Sequence, residues 1–268
     1  MRGTLGPMAL GYEVSDGVAV ITFDRPDVLN ALDDEMGAAA LEAVERAAGD
    51  PQVRCIVITG AGRAFSSGED LGALKEGYER GEAPPLGDTL VDRYNPLILA
   101  IRNAPKPVVA ALNGVAAGAG ASIALACDFR IASEDAKFAL AFTKVGLVPD
   151  SGAVWFLTKI VGAAKALEIA TFGESLSADR CLRLGLVTQV VPARAFEHQW
   201  RVFASQLASG PTRAYALTKE LANRATERSL AVQLEAEIEA QTLAGSTKDH
   251  LEGVQAFFEK RSPDFTGS

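Results

Sequence analysis

The sequence predicts an α/β fold in which most strands pair in parallel. Three observations support this prediction. Short apolar runs alternate with segments of helical periodicity, two of these runs end in glycine-rich turns, and the last third of the chain is almost entirely helical. With 268 residues, 48% of them hydrophobic, the chain can bury a sizeable core as one large domain, or as one domain with an appendage.

The first third is predicted to contain two strands around one helix. Residues 18–23 (VAVITF) form an apolar run that an Asp-Arg-Pro turn ends. Residues 30–48 place apolar side chains on one helical face, and 53–59 (VRCIVIT) form the second strand. Segment 76–89 is rich in glycine, proline and charge, so we expect a mobile loop or lid there.

The middle of the chain continues the alternation. Residues 94–102 predict a helix, 107–112 (PVVAAL) a strand, 122–126 a short apolar helix and 129–132 another strand. This order is typical of helices that connect the strands of a parallel sheet.

The last third is predicted to be helical apart from one short strand at 186–191. Ser177 has the character of an N-cap and marks a helix start. One or two amphipathic helices are expected over 211–244, and another over 250–260.

Composition argues against several classes of partner. A formal net charge of −8 and an isoelectric point near 5.0 disfavour nucleic acid and anionic membrane surfaces. No secretory leader and no apolar run of about 18 residues is apparent, which predicts a soluble, cytoplasmic protein. The first eight residues, MRGTLGPM, are expected to form a loose terminus.

Cysteine and histidine usage narrows the possible chemistry. Cys55, Cys127 and Cys181 are scattered without a CxxC pair, which predicts small buried thiols in a reducing compartment. His198 and His250 lie in polar helical contexts and are expected at the surface. No metal site and no histidine base is therefore expected, so chemistry must rest on carboxylates, backbone amides or hydroxyls.

Two glycine-rich turns, residues 60–71 and 113–122, each follow a strand and precede a helix start. Small residues there leave N–H groups unpaired, and two such amides on one point would form an oxyanion hole. A dinucleotide-binding turn is disfavoured because Phe65 and Ile123 stand where its third glycine or alanine belongs. The GxSxG elbow of a serine hydrolase is absent.

Four stretches resemble the crotonase superfamily, which comprises the enoyl-CoA hydratases and isomerases. They span nearly the whole chain: DRP-x-x-LNAL from Asp24, AFSSGEDL at 64–71, NGVAAGAG at 113–120, and EG-x-x-AFFEKR from Glu252. The resemblance implies a spiral of β-β-α turns over 9–200 and a helical trimerisation region over 201–268. It also implies homotrimers, which are often paired into hexamers.

The resemblance further implies roles for individual residues. The two oxyanion amides fall on the N–H groups of Glu69 and Ala119. The coenzyme A groove would be lined by Val28, Ser67, Asp70 and Leu71. Lys260 falls where the family places a basic residue near the nucleotide phosphates, although it is equally typical of a solvated terminal helix. No cofactor is implied other than the coenzyme A carried by the acyl-CoA thioester substrate.

The acid–base residue is where the sequence departs from the family pattern. The two glutamates of the hydratases fall on Ser122 and Phe142, neither of which is a carboxylate, so ordinary two-glutamate hydration is doubtful. Asp150 remains, in a Pro-Asp-Ser-Gly turn, and apolar neighbours would raise its pKa. The runs 93–97, 142–152 and 260–267 are similar to the ring-epoxide isomerases of phenylacetate degradation, in which the matching aspartate is the catalytic acid/base.

Three functions remain open on these grounds. The leading hypothesis is an isomerase of unsaturated or epoxidised acyl-CoA thioesters, with Asp150 as the proton carrier. The second is an enoyl-CoA hydratase that activates water with Asp150, with or without Glu69. The third is a member that binds CoA esters without chemistry. The Glu69 side chain is expected to be structural, as are Ser66, Ser67 and Ser122, while the physiological acyl group and the choice between trimer and hexamer stay open.

Overall fold

The structure is a computed structural model and describes residues 9–82 and 84–268. The predicted loose terminus, residues 1–8, therefore lies outside the described residues, as does Ala83 within the predicted loop.

The described chain contains ten strands in two sheets. In chain order they are β1 (Leu10–Ser15), β2 (Val18–Phe23), β3 (Cys55–Gly60), β4 (Ala64–Ser66), β5 (Val108–Leu112), β6 (Val115–Ala117), β7 (Phe129–Ser133), β8 (Lys137–Ala139), β9 (Leu176–Ser177) and β10 (Gln189–Val191). The larger sheet has the order β1-β2-β3-β5-β7-β10 and the smaller one β4-β6-β8-β9. Only the pairs β1–β2 and β8–β9 are antiparallel, so the predicted mostly parallel pairing is confirmed.

Twelve α-helices complete the described chain. They are α1 (Asp34–Gly49), α2 (Lys75–Glu79), α3 (Leu86–Thr89), α4 (Asn95–Asn103), α5 (Ala119–Ala126), α6 (Ala153–Val161), α7 (Ala163–Phe172), α8 (Ala178–Arg183), α9 (Phe196–Ala208), α10 (Thr212–Arg224), α11 (Leu230–Gly245) and α12 (Lys248–Glu259). From β3 onward the chain alternates between sheets, as β3 then β4, β5 then β6, and β7 then β8, with helices between these pairs. This is the spiral of β-β-α turns that the resemblance implies.

The helix predicted from residue 30 begins at Asp34 instead. Asp33 is its N-cap, and its side chain accepts from the Met36 N–H at 2.9 Å. Asn30 has a left-handed backbone with φ +55°, and its side-chain amide donates to the carbonyls of Ala61 (2.9 Å) and Ala64 (2.7 Å). A buried amide that crosslinks two loops therefore replaces the first helical turn.

The other differences have simple physical reasons. The predicted loop at 76–89 contains most of α2 and all of α3, and both are short and exposed. The sequence does not predict the strands of the smaller sheet, because they have only two or three residues, too few to show the alternation of apolar and polar side chains that marks a strand. The predicted N-cap at Ser177 is confirmed, since its side chain accepts from the Arg180 N–H at 3.3 Å.

The core lies on both faces of the larger sheet. One face packs against α1, and α4 packs on α1 within the same apolar cluster. The other packs against α9, from which Phe196 and Trp200 bury their rings among the side chains of β2, β3 and β5. Burial of such large side chains contributes about 1.5–3 kcal/mol each, so the strand ends that carry the glycine-rich turns rest on a rigid platform.

The C-terminal helices expose a broad apolar surface. Lys219 of α10 is anchored to the core, because its ammonium lies 2.8 Å from the Asp128 carboxylate and 3.0 Å from the Ile101 carbonyl. Beyond it, α11 and α12 expose large apolar side chains: Leu230, Val232, Leu234, Ile238, Leu243, Leu251, Val254, Phe257 and Phe258. Such an area on one chain is typical of a protein–protein contact.

Within the described residues, no helix combines the length and the hydropathy needed to cross a membrane.

Candidate active site

A mostly apolar cavity of about 280 Å³ lies where the two glycine-rich turns meet the segment that follows β8. Its described lining residues are Ser67, Glu69, Leu71, Leu74, Pro84, Leu86, Thr89, Leu90, Tyr94, Ala117, Gly118, Ala119, Ala141, Phe142, Val145, Leu147, Val148 and Asp150. Apolar walls with a few convergent polar groups are typical of a small-molecule site.

The two turns approach one another at Gly68. A Cβ atom on Gly68 would lie 2.9 Å from the Ala117 carbonyl oxygen and 3.0 Å from the Ala119 nitrogen, and the φ of Gly68 is +92°. Only glycine satisfies both constraints. The contact brings Glu69 of the first turn close to Ala119 of the second.

The amides of Glu69 and Ala119 are both available for a ligand. Leu32 pairs with the residues on either side of Glu69, donating to the Gly68 carbonyl (2.7 Å) and accepting from the Asp70 N–H (3.0 Å). The Glu69 N–H therefore points away from Leu32. Ala119 is the first residue of α5, where no intrahelical acceptor exists. Neither N–H has an acceptor among the described residues, so the pair can bind one carbonyl oxygen as an oxyanion hole.

Asp150 also lines the cavity and lies in a tight turn. Ser151 and Gly152 have φ angles of +53° and +75°, which reverse the chain before α6. The Asp150 carbonyl accepts from the Ala153 N–H at 2.9 Å and from the Ser122 hydroxyl at 3.2 Å. Two hydrogen bonds thus fix the carbonyl of the residue that bears the half-buried carboxylate, which combines the predicted turn with a partly buried acid.

The pKa of the Asp150 carboxyl is raised above its ordinary value. Burial is the largest cause, the hydrogen bond from the Ser151 hydroxyl to Oδ1 (2.8 Å) opposes it, and the charge of Glu69 adds to it. Phe142 is buried in the cavity wall, whereas Val148 is 78% exposed and lies at the open edge. Among these apolar residues near Asp150, the buried Phe142 and the half-buried Leu147 therefore exclude water from the cavity more than Val148 does.

The Glu69 side chain is held in an ionic network. Arg93 Nη1 lies 3.1 and 2.9 Å from the two carboxylate oxygens, and the Tyr94 hydroxyl donates to Oε2 at 2.5 Å. Burial and the Glu69 charge both raise the pKa of the Tyr94 hydroxyl. This pairing supports the structural interpretation of the Glu69 side chain. The sequence alone does not predict that Arg93 and Tyr94 belong to the site. The run 93–97, which is similar to the ring-epoxide isomerases, is the sequence feature that points to them.

The residues expected to line a coenzyme A groove lie in different surroundings. Ser67 and Leu71 line the cavity, and the exposed Val28 accepts at its carbonyl from the Ser67 hydroxyl at 3.3 Å. The Asp70 carboxylate pairs with Arg25 at 2.9 Å and lies outside the described cavity lining. Lys260 ends α12 and is likewise not part of that lining, so its contact with phosphates stays a prediction.

The two positions that match the family's glutamates carry no charge. Ser122 is fully buried and donates to the Gly118 carbonyl at 3.3 Å, while Phe142 is buried beside Gly118. The predictions of exposed histidines and buried free cysteines are confirmed. Burial raises the pKa of the Cys127 thiol to about 12, which makes it a poor nucleophile.

The chain resembles known proteins over almost its full length. Residues 13–268 match the family model described as enoyl-CoA hydratase/isomerase. A Rhodobacter capsulatus protein named "Probable enoyl-CoA hydratase" is 47% identical over 257 residues, which cover 96% of this chain and 97% of that protein. The 1,2-epoxyphenylacetyl-CoA isomerase of Escherichia coli is 42% identical over 254 residues, covering 95% of this chain and 97% of that protein.

A solved structure gives the same result for the fold. The crystal structure of an enoyl-CoA hydratase from Polaromonas sp. JS666 superposes with a TM-score of 0.89 at 37% identity, covering 96% of this chain and 99% of that one. The chain belongs to the enoyl-CoA hydratase/isomerase family and has the crotonase fold, as the four motifs predicted.

Proposed function

We propose that this chain is an acyl-CoA isomerase in which Asp150 carries a proton between two carbons of the acyl group. One observation supports this most directly. Of the two carboxylates that line the described cavity, that of Glu69 is bound by Arg93 and Tyr94, whereas that of Asp150 bonds, among the described residues, only to the Ser151 hydroxyl and has a raised pKa. A carboxylate without a cationic partner in a dry wall can accept and return a proton readily.

The proposed reaction begins at the thioester carbonyl. Its oxygen accepts hydrogen bonds from the N–H groups of Glu69 and Ala119, each worth about 3–4 kcal/mol as negative charge develops. For a 3-enoyl thioester, the Asp150 carboxylate removes a proton from C2 and forms a dienolate. The resulting carboxyl group, whose proton exchanges with solvent, delivers a proton to C4, so the double bond moves to C2–C3 without net gain or loss of atoms. Backbone amides and one carboxylate suffice, with coenzyme A as part of the substrate and no resident cofactor.

The relatives support isomerisation but include both activities. The Escherichia coli relative is named for isomerisation of 1,2-epoxyphenylacetyl-CoA, which favours an aromatic or epoxidised acyl group as substrate here. The apolar cavity and the absence of a carboxylate at Ser122 and Phe142 agree with proton transfer rather than two-carboxylate water activation.

Hydration is the second candidate, since the relative from Rhodobacter capsulatus and the structure from Polaromonas carry hydratase names. It would require Asp150 to activate water, alone or with Glu69. Because Arg93 and Tyr94 already occupy the Glu69 carboxylate, Glu69 is poorly placed to share that task. A silent CoA-ester-binding member would bind the thioester and exchange no proton.

We also propose that the chain assembles as a homotrimer or as a pair of trimers. The support is the apolar surface of α11 and α12, where Ile238 is 66% and Phe257 79% exposed on the single chain. An Ile238→Glu variant should lower the molar mass measured by light scattering, because a buried charge opposes association.

The function is tested by incubating the enzyme with a panel of acyl-CoA esters in heavy water. We expect deuterium in 3-enoyl esters from the wild type, a loss of about 10²–10⁴-fold in the Asp150→Asn variant, and unchanged binding of the esters. Asp135→Asn, at an exposed aspartate outside the cavity, is the matched control. Full exchange in Asp150→Asn contradicts the proposal, and net addition of water to a 2-enoyl ester, with no shift of the double bond in a 3-enoyl ester, favours the hydratase.

A further inference from the structure

We infer that the Glu69 side chain is a positioning residue for the oxyanion hole, and that Arg93 and Tyr94 act through it. Their hydrogen bonds to the carboxylate fix the Glu69 peptide, and with it the N–H that donates to the thioester oxygen. This inference rests on the proposed function, because it assigns a task to side chains around the same oxyanion hole.

The first support is that the Glu69 carboxylate is fully engaged. Arg93 Nη1 reaches both of its oxygens, and the Tyr94 hydroxyl donates to Oε2. The side chains of Glu69 and Arg93 are only 23% and 10% exposed, so solvent competes weakly for these bonds. Charge-assisted bonds in such surroundings hold a side chain more firmly than neutral ones.

The second support is that the network closes on the same backbone. Leu32 bonds to the carbonyl and N–H groups on either side of Glu69, at 2.7 and 3.0 Å. Arg93 Nη1 also approaches the Leu32 carbonyl at 3.4 Å. The main chain around Glu69 and, through Arg93, its side chain are thus both connected to Leu32, which restricts rotation of the peptide that bears the N–H.

The third support is the space made for Arg93. A Cβ atom on Gly37 would lie 2.4 Å from Arg93 Cδ, so the guanidinium stem packs directly on the α1 backbone. The same guanidinium pairs with Asp34 in the first turn of that helix. A side chain seated in a groove that only glycine permits is a built contact and not a chance surface pairing.

The fourth support is the local backbone conformation of Arg93 and Tyr94. Arg93 and Tyr94 end a π-helical turn, Leu90–Tyr94, in which the Asn95 N–H bonds to the Leu90 carbonyl. Such turns are rare and are often found at functional sites. Tyr94 also lines the cavity, so its bond to the Glu69 carboxylate connects the cavity wall with the residue that bears the oxyanion N–H.

The test compares kcat and KM for proton exchange in a 3-enoyl-CoA ester across four variants. Glu69→Ala should lower kcat about 10- to 100-fold with little change in KM, because a small misplacement of the N–H acts on the transition state. Glu69→Gln keeps an oxygen for Arg93 and Tyr94 and should restore most of kcat. Tyr94→Phe should give an intermediate loss. Asp150→Asn is measured alongside.

Two matched controls report the cost of the substitutions themselves. Glu197→Ala removes an exposed glutamate that pairs with Arg201 at 3.0 Å, and Tyr12→Phe removes a buried hydroxyl remote from the cavity. Both should leave kcat and KM unchanged. Thermal unfolding of each variant confirms that it is folded.

The outcomes separate the two proposals. If Asp150→Asn abolishes exchange while Glu69→Ala and Tyr94→Phe retain the wild-type kcat, the positioning role is wrong and the isomerase proposal stands. A rise in KM at constant kcat, or a Glu69→Gln variant as impaired as Glu69→Ala, also overturns it. If Asp150→Asn keeps full exchange, the proposed function itself fails.

Discussion

The two carboxylates of the cavity come from two regions that treat the same functional group in opposite ways. Glu69, in the turn after β4, is bound by an arginine and a tyrosine. Asp150, in the turn before α6, is half-buried, and its carboxylate accepts a hydrogen bond from the Ser151 hydroxyl. In the proposed mechanism, environment and not residue type separates a carboxylate that holds structure from one that moves protons.

After loss of the Asp150 carboxylate itself, the largest expected effect comes from damage to the proposed oxyanion hole. Gly68→Ala places a methyl group against the Ala117 carbonyl and the Ala119 nitrogen, at a backbone φ of +92°. We expect kcat for proton exchange to fall about 10²–10³-fold, as for removal of one oxyanion donor. Gly49→Ala, at a position with no atom within 4 Å of the added Cβ, is the control and should behave as wild type. Normal kcat in Gly68→Ala would show that the two turns do not form the hole.

The second largest effect that we expect is a shift in the pH dependence of kcat/KM. The Ser151 hydroxyl lowers the pKa of Asp150 against the larger effect of burial, and Ser151 has φ +53°. Ser151→Gly removes the hydroxyl without backbone strain, so the pKa of Asp150 should rise further. Because Asp150 is the proposed base, the acidic limb of kcat/KM should move to higher pH. An unmoved limb would mean that another group titrates in it.

The smallest expected effect is on stability. The pKa of Asp150 is raised in the folded chain, so the folded state binds its proton more tightly than the unfolded state does. Its contribution to stability is present below the unfolded pKa and is lost as pH rises through the folded pKa. Asp150→Asn should therefore raise the Tm slightly at neutral pH and leave it unchanged in acid. A lower Tm at neutral pH would show that the ionised carboxylate stabilises the fold.

The sequence predicted the α/β class and the principal strands and helices, because their apolar runs are local signals. The family and the crotonase fold followed from four motifs and are confirmed. The contact of Arg93 with Glu69 could not be predicted, because it joins a π-helical turn to a loop 24 positions away. No periodicity indicates such a turn. Asn30 was placed in a helix because its role, a buried amide between two loops, depends on tertiary contacts.

We propose that Asp150, and not Glu69, moves the proton. Deuterium incorporation into one 3-enoyl-CoA ester in heavy water, compared between Asp150→Asn and Glu69→Gln, distinguishes the two carboxylates. We expect Asp150→Asn to lose exchange and Glu69→Gln to retain most of it. Exchange that is lost in Glu69→Gln and kept in Asp150→Asn would identify Glu69 as the base.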